Sequence, residues 1–91
     1  MVSTNVLPAI TPLLRRPAVE AATGKSRSTI YREIARNLFP KPVQIGGERV
    51  AWPAHEIAAI NAARIAGKPE DEIKTLVLQL EAARTEQSAK Q

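Results

Sequence analysis

The chain has 91 residues, enough for one small domain with a modest core. With no cysteine it has neither a disulfide framework nor a thiolate metal site. No uncharged apolar run is long enough to span a bilayer, and the N-terminus lacks the basic and apolar regions of a secretory signal, which predicts an intracellular protein. The 13 Lys and Arg residues outnumber the 9 Asp and Glu residues, a net charge of +4, and the excess is uneven. Residues 15–49 hold eight basic and three acidic side chains, a balance of +5, whereas residues 50–91 hold five and six, a balance of −1. A basic half beside a near-neutral half suits a partner rich in phosphate.

Residues 1–13 are expected to be a flexible N-terminal segment ahead of a single domain over 14–86. Within Pro17 to Arg36, a short helical pattern with small residues at Ala18, Ala21 and Ala22 stops at Thr23-Gly24, where glycine can take the positive φ of a tight exit. A second helix then starts with Ser26 as a natural N-cap. At 3.6 residues per turn Ile30 and Ile34 face the core, and Glu33 falls towards their side. The opposite face holds Ser28, Arg32, Ala35 and Arg36, flanked by Thr29 and Tyr31, with no carboxylate. This is the layout of a helix-turn-helix, whose second helix reads the DNA major groove.

Asn37 to Pro42 cannot continue the helix, because Pro40 and Pro42 break it. Val43-Gln44-Ile45 and Arg49-Val50-Ala51-Trp52 alternate with period two around Gly46-Gly47-Glu48, which predicts a β-hairpin over about 42–52. Val43, Ile45, Val50 and Trp52 are its expected inward face, with Trp52 in the core, and Arg49 lies at the tip. The predicted class is therefore mainly α with a small β-hairpin: a winged helix-turn-helix plus a C-terminal helix. Pro53 suits the N1 position of a third helix over Ala54–Ala66, with Ile57, Ile60 and Ile65 as apolar contacts and Gly67 ending it. A fourth helix over about 69–86 starts with Glu70, Asp71 and Glu72 at its positive dipole end. Its stripe of Ile73, Leu76, Val77, Leu80 and Ala83 is expected on the domain core, with Leu78 off the stripe as a possible dimer contact. Residues 87–91 are expected to be a disordered tail.

Several of these segments, in this order, closely resemble the AlpA-type phage and prophage regulators. They are Leu14-Arg15-Arg16, Val19 to Tyr31, Phe39-Pro40-Lys41-Pro42-Val43, Gly46, Gly47, Arg49, Val50, Trp52 and Glu56-Ile57. The resemblance covers about Leu13 to Ile60. It implies a relation to phage excisionases and, more distantly, to MerR-type winged helix-turn-helix domains. It also implies regulation of mobile-element genes in the bacterial cytoplasm, on the nucleoid. One departure is Ile60, where the family often has tryptophan, which bears on how the third helix packs.

Other chemistries find little support. Gly24-Lys25-Ser26 looks like the end of a phosphate-binding P-loop, but the glycine required five residues earlier is Val19. His55 is the sole histidine, so neither a metal nor another cofactor is expected. Ser26 and Ser28 have no neighbouring base, and the chain is not expected to be an enzyme. The favoured function is sequence-specific DNA binding in transcription control. The expected base-facing residues are Ser28, Thr29, Tyr31 and Arg32. Arg16, Lys25, Arg27 and Arg36 are expected on the backbone, and Lys41 and Arg49 on the wing. Two alternatives stay open: an excisionase that bends an attachment site for an integrase, and a non-catalytic protein-interaction adaptor using the last helix. The partners expected are double-stranded DNA, with a homodimer or cooperative array, an integrase and RNA polymerase as further possibilities.

Overall fold

The computed structural model describes residues 10–89, with side-chain surroundings for 10–85. The elements in chain order are β1 (Leu13–Leu14), α1 (Arg16–Thr23), α2 (Arg27–Ala35), β2 (Val43–Gly46), β3 (Arg49–Pro53), α3 (Ala54–Ile65) and α4 (Glu70–Ala89). The strands form one antiparallel sheet in the order β1-β3-β2. A helix pair followed by a hairpin that packs beside it is consistent with a winged helix-turn-helix.

The turn between α1 and α2 forms for local reasons. Gly24 takes φ 72°, and its N–H donates to the Glu20 carbonyl at 2.8 Å. Thr23 Oγ1 donates to the Val19 carbonyl at 2.8 Å and accepts from the Lys25 N–H. Ser26 then caps α2 by accepting from the Thr29 N–H at 3.2 Å. At its far end α2 stops in a Schellman arrangement, with Asn37 at φ 62°, Asn37 N–H bonded to the Ile34 carbonyl and Leu38 N–H to that of Glu33. The reversal turns Leu38, Phe39 and Pro40 inward. This stretch, expected only to break the helix, supplies buried core.

One cluster joins every helix to the central strand: Val19, Ile30, Leu38, Phe39, Trp52, Ile57, Ile60, Ile73 and Val77. Trp52 is fully buried and its indole N–H donates to the Pro40 carbonyl at 2.9 Å. Ile60 fills a fully buried position, so α3 packs on the core without an aromatic ring there. The stripe of α4 packs as expected, with Ile73 and Val77 buried, Leu76 and Leu80 against the cluster, and Leu78 exposed.

Four expectations need correction. The face of Val43, Ile45, Val50 and Trp52 does not form, because Val43 pairs with Ala51 and Gln44 with Val50, and opposed residues share a face. A bulge between Gln44 and Gly46 leaves Ile45 37% exposed, while Ala51 is buried in the central strand, which α1 and α3 also contact. Second, Ile65 is 86% exposed; at 100° per residue it lies about 140° around α3 from Ile60. Third, Pro53 is the N-cap of α3 rather than its first residue, because it closes β3 opposite Leu13. Fourth, the sheet reaches into the segment expected to be flexible: Leu13 and Leu14 pair with Pro53 and Trp52, and the Ala54 N–H donates to the Pro12 carbonyl at 2.8 Å. Residues 1–9 of that segment lie outside the described residues, as do Lys90 and Gln91 of the expected tail, whereas α4 continues to Ala89.

A polar clasp fastens α4 to the rest. The Glu56 carboxylate is fully buried. It receives Arg84 Nε at 2.9 Å and Nη2 at 2.6 Å, a bidentate charged pair, and the same Nη2 donates to the Lys41 carbonyl at 2.7 Å. Glu81 accepts from the Lys41 backbone N–H at 2.8 Å. The hydrogen bond to Glu56 raises the Arg84 pKa above its ordinary value, against the opposing effect of burial. Because a raised pKa on a base adds stability that is lost only as pH rises through it, the clasp is fully formed across neutral pH.

Candidate nucleic-acid interface

The outer side of α2 displays Arg27, Ser28, Tyr31, Arg32, Ala35 and Arg36, all exposed, with Thr29 half-buried at the edge. The only acidic residue of the helix, Glu33, is turned away. Lys25 Nζ lies 3.2 Å from both of its carboxylate oxygens, with Oε2 taking the hydrogen bond, and Arg64 of α3 stands 3.9 Å from Oε2. This ionic group links the turn, α2 and α3 behind the exposed face. Glu33 Oε1 is buried and has no hydrogen bond of its own.

Within the exposed face the side chains touch one another. Arg32 Nη2 donates to Thr29 Oγ1 at 3.2 Å, and Ser26 Oγ donates to the same oxygen at 3.0 Å. The Arg27 guanidinium stands 5.9 Å from the centre of the Tyr31 ring, within cation–π range. Tyr31 meets Trp52 edge-on, with centroids 6.4 Å apart, so its ring braces α2 against β3 while remaining 39% exposed.

The ten residues singled out from the sequence divide by their surroundings. Ser28, Thr29, Tyr31 and Arg32 share α2's outer side, and Arg27 joins them from the first turn. Arg49 is exposed at the hairpin tip, opposite Gly46 and next to exposed Glu48. The remaining four are held by carboxylates. Arg16 bonds Glu20 at 2.9 Å, Arg36 bonds Glu70 at the start of α4 at 3.2 Å, and Lys25 is paired with Glu33. Lys41 pairs with Glu81 at 3.3 Å, which places it beside α4 rather than at the tip of the wing.

Among the described residues, Arg15, Arg27, Arg32 and Arg49 form no ion pair, and all four are exposed. Of the two adjacent arginines the expected backbone contact is Arg16, yet it is Arg15 that stands without an ion pair among the described residues. The spacing held the signal: Arg16 and Glu20 are four apart on α1 and pair, whereas Arg15 is the N-cap residue and its side chain caps nothing.

The arrangement offers guanidinium groups and hydroxyls to an extended anion; such groups position a protein on phosphates and bond base edges. No group of three or more His, Asp or Glu side chains that could hold a metal occurs among the described residues, and His55 is exposed. No helix of the described residues is long and apolar enough to cross a membrane.

Two comparisons with known proteins find relatives of this chain. The family model described as prophage CP4-57 regulatory protein (AlpA) matches residues 12–64, from the start of the sheet to the end of α3. An uncharacterized protein of Enterobacteria phage P4, ORF88, is 48% identical over 64 residues, covering 68% of this chain and 73% of the phage protein. No solved structure is significantly similar.

Proposed function

Because the chain belongs to the family of the prophage CP4-57 regulatory protein AlpA, a family of phage regulators, we propose that it binds DNA sequence-specifically and controls transcription of phage or mobile-element genes. In this reading α2 enters the major groove. Arg32 and Ser28 face base edges, with Tyr31 at the groove wall. Arg15 and Arg27 neutralise phosphates, and the β2–β3 hairpin carries Arg49 to the backbone or the adjacent minor groove.

The observation that carries the reading is the outer face of α2. It holds Arg27 and Arg32, which form no ion pair among the described residues, beside hydroxyls, and its one acidic side chain is withdrawn into a pair with Lys25. A solvated helix face in a small domain ordinarily mixes both signs of charge. Here the carboxylates nearest to α2 are held by other cations, Glu33 by Lys25 and Glu70 by Arg36 at the last turn.

Selection from a library of randomised duplexes by the full chain, at a stated salt concentration, tests the proposal. The expected result is a short enriched motif, bound with an affinity that falls steeply with salt. Recovery of no motif, with binding insensitive to salt, would reject it in favour of an interaction surface for proteins.

A further inference from the structure

Resting on that reading, we propose that Thr29 does not read a base. It is a positioning residue that holds the Arg32 guanidinium ready for a guanine in the major groove.

Thr29 Oγ1 accepts two hydrogen bonds, from Ser26 Oγ at 3.0 Å and from Arg32 Nη2 at 3.2 Å. Ser26 is fixed in turn, since it is the N-cap and its Oγ accepts from the Thr29 backbone N–H at 3.2 Å. Its single hydroxyl hydrogen goes to Thr29, so in the 3.3 Å contact with Ser28 Oγ the donor is Ser28. The hydroxyls therefore run in one direction, from Ser28 to Ser26 to Thr29, and end on an oxygen that holds Arg32. Both acceptor sites of Thr29 Oγ1 are used, so it cannot take a hydrogen bond from a base amino group, and only its own hydroxyl hydrogen is left.

The guanidinium keeps what it needs. It has five N–H donors, and Thr29 takes one hydrogen of Nη2. The planar group has two edges that each present a parallel pair of donors, and one of them stays whole. Two parallel donors match the O6 and N7 acceptors that guanine alone presents in the major groove. No carboxylate among the described residues competes for this group. A free arginine side chain samples many rotamers, and a tether to its own helix lowers the ordering cost at the moment of binding. The contrast within α2 is direct. Arg36, one turn on, is held by Glu70, a full opposite charge, whereas Arg32 is held by a neutral hydroxyl that fixes direction without cancelling charge.

The test compares base preferences selected from randomised duplexes by the wild type, Thr29→Val, Thr29→Ser and Arg32→Ala, with helix content and thermal unfolding followed for each. Valine keeps the shape and removes the oxygen, and Thr29→Ala replaces it if the valine variant does not fold. The Arg32→Ala variant should lose the preference for guanine at one position. The Thr29→Val variant should weaken that same preference about threefold to tenfold, the effect of one hydrogen bond, and leave other positions unchanged. The Thr29→Ser variant should retain it. Three results would overturn the inference while leaving DNA reading intact: an unchanged preference in Thr29→Val, loss at a base position that Arg32→Ala does not affect, or serine behaving like valine. A wild-type protein that selects no motif would instead remove the functional reading on which the inference rests.

Discussion

The basic groups along the outer side of α2 and those facing α4 share their chemistry and differ in company. On α2, Arg27 leans on an aromatic ring and Arg32 on a hydroxyl, and neither meets a carboxylate among the described residues. Towards α4, Arg84 is locked on buried Glu56, Lys41 on Glu81 and Arg36 on Glu70. Lys74, exposed on α4 without an ion pair among the described residues, is the exception there. The first set meets no carboxylate among the described residues, and the second is engaged by carboxylates, of which that of Glu56 is fully buried. Residue type and net charge do not distinguish the two; the nearest carboxylate does.

Substitutions should therefore separate stability from binding. The largest effect is expected from Arg84→Ala, which strands the Glu56 carboxylate in the core and should cost about 3 kcal/mol. That is the lower end for a broken buried pair, because the Arg84 side chain is itself 26% exposed. Urea unfolding would measure the loss, and the DNA affinity of the folded fraction should stay the same. Next comes Lys25→Ala, which leaves Glu33 with only the distant Arg64, at a cost of about 1–2 kcal/mol in the same assay. A loss of DNA affinity without a loss of stability would move Lys25 into the other set. Arg49→Ala should leave unfolding unchanged and reduce the slope of log affinity against log salt by about 0.9 if it touches one phosphate. The smallest effect is expected from Glu70→Gln, which releases Arg36 and should tighten DNA binding by no more than about 1 kcal/mol, as for an exposed pair.

Much of the division was open to reading in one dimension. Helical phase put Ile30 in the core and Arg32 outside, the Ser26 cap started α2 where expected, and two alternating runs around glycines made the hairpin. These signals are local, so spacing alone carries them. The contacts that were not legible join distant segments. Glu56 meets Arg84 across 28 positions, Lys41 meets Glu81 across 40, and Arg36 meets Glu70 across 34. No periodicity marks such partners. The hairpin register failed for a related reason, since the bulge at Ile45 moves one strand by a residue, and a slip of one exchanges the faces. Leu38 and Phe39 were obscured by the prolines beside them, although a chain that must stop a helix can still bury the residues just beyond its end.

If the open face of α2 reads sequence rather than merely meeting phosphate, Arg32 must contribute more at one site than on DNA in general. The affinity of Arg32→Ala for the selected site and for a random duplex, at one salt concentration, tests it most directly. The expected result is a loss of about 1–3 kcal/mol on the selected site, a much smaller loss on random DNA, and unfolding unchanged. An equal loss on both duplexes would contradict it, because Arg32 would then be one more phosphate contact.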